Sequence, residues 1–537
     1  MCVKTCGALA MVALLAACGG GGGSDGSASS DAVVNTASAS DLSSALLVSG
    51  SINGSSSLVN DSYEVASATD TTVANASVSS SLLTSQSVST SASSCYTVPA
   101  VPTVPANALY VTDFGAVPND DLPDDTAITK ALAALKPGQW LVFPPGRYIQ
   151  SKSIYVNVQN AVLWGKGATV HATNPDDETI QLMANGASIY GFTLTAATDY
   201  RRSQPRDARI SIYPAATMSG AVSGNVVQDN TVTYTSSSPN SATSVGILVF
   251  KAKDFVVAGN TVERTLADGI HMTGGSYNGK VMNNVVRETG DDMIAVVSYL
   301  GSSWRTVVKG SPTAATAIWG QRAHDIYIAN NDVSGNYWGR GITVVGGANV
   351  TITNNTVSNV TYAAGILVGQ EANYNTFGNV NILVTNNTIS HIQTTSPAYV
   401  DSTAVAKLAA NGVTGQGGIE VYNAYNTSSD ISDPLLKSYI ATSGVLIQGN
   451  KVTDTIRDGV RIGSETAAGL TSETAMTGNL FSLIKLQAIN NLLASTAPSY
   501  CSTNTLNGLL TGSTAMCAAT TLPSVTGASL SCTGALQ

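Results

Sequence analysis

Apolar residues recur along the middle of the chain in a five-residue phrase, in which the third and fifth positions are apolar and the fourth varies. The second position is glycine in six of the seven copies, which lie at residues 245–249, 268–272, 292–296, 340–344, 364–368, 417–421 and 458–462. The copies that start at 268, 292, 340 and 364 are separated by 24, 48 and 24 residues. A period in this range predicts stacked repeats, and the alternating pattern makes the repeating unit a strand.

A second apolar phrase alternates with the first and carries asparagine at its end. It recurs at residues 255–262, 281–285, 326–331, 350–357, 380–389 and 445–452. Alternating apolar residues predict strands that face a core. Asparagine tolerates the left-handed backbone conformation, so we expect it where the chain turns. Stacked turns would then place these asparagines in a ladder, and each turn would carry two strands.

Longer segments interrupt the repeat and do not add turns of their own. They lie at about residues 195–209, 301–321, 390–416 and 424–441. Since loops on one side of a solenoid often build its binding cleft, we expect these insertions to border a functional site.

The N-terminal residues have the pattern of a targeting segment. Residues 8–17 are apolar but too short to span a bilayer. The sequence Leu15-Ala16-Ala17-Cys18-Gly19 resembles a bacterial lipobox, which implies a signal peptide over 1–17 and lipidation of Cys18. Residues 18–107 are low in complexity and predict a flexible tether. We therefore expect a bacterial lipoprotein of the outer membrane, facing the periplasm or the exterior, with membrane contact through its lipid alone.

Composition narrows the partners of the remaining chain. Its net charge of −9 argues against nucleic acid. Four cysteines lie outside the signal peptide and the lipidation position, and they flank the repeats, which predicts an oxidising compartment but leaves their pairing open. They are Cys95, Cys501, Cys517 and Cys532. We expect the repeats to occupy residues 108–500, and residues 501–537 to form a C-terminal cap or tail.

The start of the folded region carries a recognisable order of elements. Residues 110–116 precede a short amphipathic segment that begins near Asp124, and the apolar run 140–143 leads into 144–148. This order resembles the N-terminal signature of the pectate-lyase-like superfamily. The resemblance implies an all-β, single-stranded, right-handed parallel β-helix with a short N-terminal capping helix.

One column of side chains on neighbouring turns carries candidate chemistry. The position before the glycine holds Asp268, Asp292 and Arg340 on successive turns, and Asp291 precedes Asp292. The phrase also turns His271 away from the core. Like charges stacked on adjacent turns raise the pKa of one carboxyl group, so such a column can hold an acid and a base together.

At these residues the sequence resembles family 28 glycoside hydrolases, the polygalacturonase family. That family carries Asn-Thr-Asp-Gly and then Gly-Asp-Asp. Only the Asp-Gly of the first motif is present here, within residues 267–270, and the second motif matches within residues 290–295. The resemblance implies that Asp291 protonates the leaving oxygen, while Asp268 and Asp292 activate water. The family's next motif, Gly-His-Gly, is replaced by Gly339-Arg340-Gly341.

The favoured hypothesis is therefore hydrolysis of a polysaccharide, which we expect to be acidic, without a cofactor. Candidate substrate-binding residues are His271, Arg340, Trp338, Tyr299 and Glu420, since they are aromatic, charged or turned outwards near the column. A second hypothesis is a uronate lyase or epimerase, in which Arg340 is the base and Ca²⁺ is bound by the acidic residues. A third is a β-helix surface module that binds glycan without catalysis.

Overall fold

The chain winds as a right-handed parallel β-helix in which successive turns stack along one axis. The computed structural model describes residues 96–530, apart from 198–207, 235–243, 312, 314–319, 395–411, 467–469, 494–498, 503, 508 and 511–524. Three long sheets run the length of the helix, and every paired strand in them is parallel except Thr505–Leu506 with Leu509–Leu510. The predicted fold class is confirmed.

The first sheet has fifteen strands among the described residues. They are Leu109–Tyr110, Trp140–Val142, Val162–Trp164, Ser188–Tyr190, Val222–Ser223, Val226–Gln228, Ala252–Lys253, Val256–Ala258, Tyr277–Met282, His324–Ala329, Ala348–Thr353, Val380–Thr385, Ser443–Gln448, Thr474–Thr477 and Ser499–Ser502.

The second sheet, called the site sheet below, has eleven described strands. They are Ile154–Val156, Ile180–Leu182, Ala208–Ile212, Val245–Phe250, Ile270–Thr273, Ile294–Val297, Ile342–Val345, Ile366–Gln370, Ile419–Asn423, Val460–Ser464 and Ile489–Asn491. Every copy of the glycine phrase runs into one of these strands.

The third sheet has thirteen described strands. They are Gly146–Gln150, Ala168–Ala172, Thr193–Ala196, Thr231–Val232, Thr261–Glu263, Val285–Arg287, Asp332–Ser334, Thr356–Val360, Thr388–Ile392, Lys451–Thr455, Leu480–Ile484, Thr505–Leu506 and Leu509–Leu510. The prediction of two strands per turn is wrong, because the asparagine phrase contains a bend and supplies one strand to each of two sheets. Several strands after the bend are only two or three residues long, too short for their alternation to stand out.

Stacked aliphatic side chains fill the interior of the helix. Ile270, Ile294, Ile342 and Ile366 are paired in register on successive strands of the site sheet, and each is fully buried. Burial of each such side chain contributes about 1.5–3 kcal/mol to folding. The repeated isoleucine therefore fixes the register of the site sheet, and with it the order of the outward side chains.

Where two asparagines follow each other, as at 330–331 and 354–355, the two residues have different structural roles. The first member has a left-handed backbone, with φ of 57° at Asn330 and 55° at Asn354. The second is buried and joins a hydrogen-bonded ladder: the Nδ2 of Asn331 donates to the Oδ1 of Asn355 at 2.9 Å, and the Nδ2 of Asn355 donates to the next Oδ1 at 3.0 Å. The predicted ladder is therefore present in the described turns.

A short helix covers the first turn, as the resemblance implies. It spans Asp125–Ala134 and buries Ala127, Ile128 and Ala131. Asp124 precedes it, but its carboxylate accepts hydrogen bonds from the backbone N–H groups of Val117 and Ile149 and makes none that caps the helix. Asp124 therefore joins the capping helix to the strands beneath it.

Two of the predicted insertions pack against each other. The helices Trp304–Gly310 and Pro434–Ile440 bury Trp304 and Tyr439 in a small apolar cluster outside the main core. Arg305 joins the two segments by an ion pair with Asp430 at 2.7 Å. The remaining described helical segments are Val111–Phe114, Pro175–Asp177, Ala372–Tyr374 and Ser428–Ile431. The insertions at 195–209 and 390–416 lie mostly outside the described residues.

Both ends of the described chain lie on the outer face of the first sheet. The Tyr96 ring contacts Tyr327 edge-on, and its hydroxyl donates to the carbonyl oxygen of Ala528 at 3.1 Å. The backbone N–H of Ala528 donates to the Thr351 hydroxyl at 2.8 Å. The last part of the predicted tether is thus packed on the helix, while residues 1–95, with Cys18, lie outside the described residues. Within the described ranges, no helix is long and apolar enough to cross a membrane.

Candidate active site

Three acidic side chains and one arginine meet at the edge of the site sheet. The pairing of Ile270 with Ile294, and of Ile294 with Ile342, places the residues two positions earlier on successive turns. These residues are Asp268, Asp292 and Arg340. The register thus bears out the predicted column.

The carboxyl groups of Asp268, Asp291 and Asp292 form a compact cluster. One carboxylate oxygen from each lies within 4.8 Å of the others. Asp292 is the most enclosed of the three. Its side chain is 8% exposed, that of Asp268 is 13% exposed, and Asp291 is half-buried. Three hard oxygen donors at this separation also fit a divalent cation such as Ca²⁺.

Backbone hydrogen bonds hold the cluster in place. The N–H of Arg340 donates to Oδ1 of Asp292 at 2.7 Å, and the hydroxyl of Thr289 donates to the carbonyl oxygen of Asp291 at 2.7 Å. Gly339 approaches closely, since a Cβ built there would lie 2.4 Å from the carbonyl carbon of Asp291. A side chain at Gly339 would therefore displace Asp291 and Asp292.

Burial gives Asp292 an unusual proton affinity. Removal from water raises the pKa of its carboxyl group well above the ordinary value, and the neighbouring Asp291 and Asp268 raise it further. The positive charge of Arg340 opposes this rise but is outweighed. The cluster can therefore retain a proton beside carboxylates that accept one, which is the requirement for general acid–base chemistry.

Arg340 is held between two carboxylates. Its Nη2 donates to Oε1 of Glu371 at 2.8 Å, and its Nη1 lies 3.7 Å from Oδ1 of Asp292. Burial disfavours its charge, but the carboxylates of Glu371, Asp292 and Asp291 outweigh burial and raise the pKa of Arg340. Arg340 therefore stays protonated.

His271 lies against the cluster and is buried. Its Nδ1 is hydrogen-bonded to Oδ2 of Asp268, which orients the ring and that carboxylate together. Its Nε2 is buried and has no hydrogen-bond partner among the described residues. Of the predicted substrate-binding residues, His271 and Arg340 contact the acidic cluster directly.

The remaining predicted residues make further contacts on or near the site sheet. Trp338 is 9% exposed and stacks on the ring of Tyr362 at 4.3 Å, as a packed aromatic residue. Tyr299 is half-buried against an apolar cluster on the site sheet. Glu420 is fully buried and accepts from Nε of Arg461 at 3.0 Å. It lies three strands from Ala295, which is about 14 Å at the usual strand spacing. Their roles in substrate binding stay predictions.

Two further residues, Glu371 and Asn336, contact Arg340. Glu371 follows a strand of the site sheet and reaches back to Arg340. Asn336 donates from Nδ2 to the carbonyl oxygen of Arg340 at 3.0 Å and to that of Asp291 at 3.4 Å, and its Oδ1 is buried without a described partner. Asn336 lies in an irregular bend, where sequence periodicity carries no signal.

Comparison with known proteins supports the fold. A family model described as rhamnogalacturonase A/epimerase, pectate lyase-like, matches residues 108–343. No curated protein matches the chain at a significant level.

Several solved structures are similar. The catalytic unit of a family 87 α-1,3-glucanase from Streptomyces thermodiastaticus is 19% identical, with a TM-score of 0.51, over 76% of this chain and 70% of that chain. A family 87 α-1,3-glucanase catalytic domain solved with tetrasaccharides is 15% identical, with a TM-score of 0.50, over 76% and 71%. An exopolygalacturonase from Thermotoga maritima is 12% identical, with a TM-score of 0.49, over 76% and 93%.

The N-terminal signature, the parallel sheets and the matching family model agree with one another. Residues 108–343 thus match a family model of pectate-lyase-like proteins, and the described residues have the parallel β-helix fold.

Proposed function

We propose that this protein is an enzyme that hydrolyses the glycosidic bonds of a polysaccharide at Asp268, Asp291 and Asp292. The observation that carries the proposal is the approach of the three carboxyl groups to within 4.8 Å, one of them with a raised pKa. Most glycoside hydrolases use a pair of carboxyl groups whose pKa values differ, so that one group donates a proton while the other acts as a carboxylate.

In the proposed reaction the cluster moves two protons. Burial keeps a proton on Asp292, and Asp291, which is half-buried, delivers it to the oxygen of the leaving sugar. Asp268, oriented by His271, accepts a proton from the water whose oxygen bonds to the anomeric carbon. The glycosidic bond breaks, one water is consumed, and each product is a saturated sugar chain.

The arrangement of Arg340 favours hydrolysis over elimination. A lyase or epimerase that uses Arg340 as its base requires a neutral guanidinium. The carboxylate of Glu371, which accepts from Nη2 of Arg340 at 2.8 Å, holds the proton on Arg340 instead, because it raises the pKa of the guanidinium. We therefore assign Arg340 the role of positioning Asp292 through its backbone N–H.

The similar structures are consistent with action on glycans. Two of them are described as α-1,3-glucanases. At 15–19% identity this likeness concerns the fold, so the reaction rests on the acidic cluster.

A polysaccharide panel tests the proposal. We expect new reducing ends from at least one polymer, no unsaturated sugar in the products, and no loss of rate with chelator. Asp458→Asn is the matched control, since Asp458 occupies the same position in the glycine phrase but binds Asn490 at 2.9 Å, away from the cluster. Unsaturated products that disappear with chelator would instead establish the lyase, and glycan binding without any product would establish the binding module.

We propose further that the enzyme acts at the outer membrane on a lipid anchor at Cys18. The support is the lipobox-like sequence before Cys18 and the low-complexity tether after it. We expect labelled palmitate to enter the wild-type protein and not a Cys18→Ser variant, with the wild type in the membrane fraction. Equal labelling of both proteins would rule out this anchor.

A further inference from the structure

The charges around the cluster bear on the kind of sugar that it accepts. We infer that the site takes a glycan stretch without carboxylates, and that Glu371 is the residue that excludes carboxylated sugars. This inference rests on the proposed function and names the substrate class of the same site. It departs from the expectation of an acidic substrate, which assumed that Arg340 is available to a substrate carboxylate.

The first step concerns Arg340, whose guanidinium lies 3.7 Å from Asp292. Both of its terminal nitrogens face protein carboxylates, with Nη2 at 2.8 Å from Glu371 and Nη1 at 3.7 Å from Asp292. The side chains of Arg340 and Glu371 are each only 18% exposed. A substrate carboxylate would have to displace Glu371 from a partly buried ion pair, and Glu371 would then be left without its partner.

The second step concerns the balance of charge. The acidic cluster and Glu371 supply four carboxyl groups against the single guanidinium of Arg340, so negative charge is in excess even when one carboxyl group is protonated. An excess of negative charge a few ångströms away weakens the binding of an anionic group by roughly tenfold or more in a partly desolvated site. A neutral sugar meets no such repulsion and can use the same carboxylates as hydrogen-bond acceptors.

The third step concerns the arginines of the neighbouring turns. In the described ranges Arg264 pairs with Glu288, Arg287 with Asp332, and Arg461 with Glu420. Each of these guanidinium groups already has a carboxylate partner, so this part of the helix offers no row of unpaired arginines that a polyanion would follow.

Matched pairs of polymers test the inference with the full-length protein. Polygalacturonate, alginate and glucuronan are each compared with their carboxyl-reduced forms, which keep the linkages and lose the charge. We expect cleavage of at least one reduced polymer, at a rate at least tenfold above that of its acidic parent. Faster cleavage of an acidic parent than of its reduced form would overturn the inference while leaving the proposed function intact.

Glu371→Gln tests the residue itself. The change removes one negative charge and loosens Arg340, so we expect the preference for the reduced polymer to fall at least threefold through faster cleavage of the acidic parent. Glu465→Gln is the control, because Glu465 lies beyond the site and accepts from Tyr422 at 2.8 Å, so the preference should be unchanged. An unchanged preference in Glu371→Gln would contradict the assignment of Glu371.

Failure of catalysis is distinguishable from failure of the inference. If no polymer is cleaved, the proposed function is wrong, and affinity electrophoresis of the same pairs decides the substrate class. Stronger retention by the reduced polymer supports the inference. Retention by the acidic parent that equals or exceeds that of its reduced form overturns it.

Discussion

Replacement of Asp292 by asparagine is expected to lower glycan cleavage by about a hundredfold to ten-thousandfold, the usual contribution of general acid–base catalysis. Asparagine keeps an oxygen that can accept from the N–H of Arg340, now at 2.7 Å, so the local backbone has no reason to move. The variant loses the proton that burial keeps at this position. The measurement is the rate of reducing-end formation on the best polymer of the panel.

Asp292→Asn is also expected to become more stable relative to the wild type as the pH rises. The folded pKa of Asp292 lies above its ordinary value of 3.8, so the native state binds this proton more tightly than the unfolded chain does. Below the pKa that Asp292 has in the unfolded chain, its protonation contributes in full to the stability of the wild type. This contribution is lost as the pH rises through the higher pKa that Asp292 has in the folded protein. Asparagine has no charge to bury, so the advantage of Asp292→Asn should grow over that range and then level off.

Urea unfolding of the wild type and the variant at several pH values measures this difference. Asp458→Asn is again the control, and we expect it to retain cleavage. An active Asp292→Asn variant would remove Asp292 from the mechanism. A variant whose stability falls further behind the wild type as pH rises would contradict the raised pKa.

Replacement of Asn331 by alanine is expected to destabilise the β-helix by about 3 kcal/mol or more, because several buried groups lose partners at once. The Nδ2 of Asn331 donates to the carbonyl oxygen of Val281 and to Asn355, each at 2.9 Å. Its Oδ1 accepts from the backbone N–H and the side-chain amide of Asn284, each at 2.9 Å. The measurement is the free energy of unfolding in urea.

The adjacent Asn330 provides a matched control. It is exposed, and its φ of 57° suits glycine. Asn330→Gly should therefore change stability by less than about 0.5 kcal/mol. Equal destabilisation by the two changes would contradict a special role for the ladder.

The sequence predicts much of the fold because one residue type repeats at the positions that set the register. Isoleucine at 270, 294, 342 and 366 is buried on every turn, so the order of strands in the site sheet follows from the phrase. The third sheet was missed, because strands such as Thr231–Val232 are too short to show an alternating pattern.

The acidic cluster is predictable for the same reason, while its surroundings are not. Asp268 and Asp292 follow the register directly. Glu371 follows the end of a strand and reaches Arg340 on the preceding turn, a contact that depends on side-chain length. Glu420 was predicted at the site because it points outward, but Arg461 on the next strand neutralises it. Outward direction alone does not separate a site residue from a paired one.

The origin of the oxygen at the cleaved bond tests the central claim most directly. The polymer is cleaved in water labelled with heavy oxygen, and rapid mass spectrometry of the products shows whether an oxygen atom from water has entered them. Hydrolysis at Asp268, Asp291 and Asp292 predicts that one heavy oxygen enters the products for each bond broken. This incorporation should persist when a chelator is added and should be lost in the Asp292→Asn variant. Product chains without heavy oxygen, ending in an unsaturated sugar, would contradict hydrolysis by this cluster.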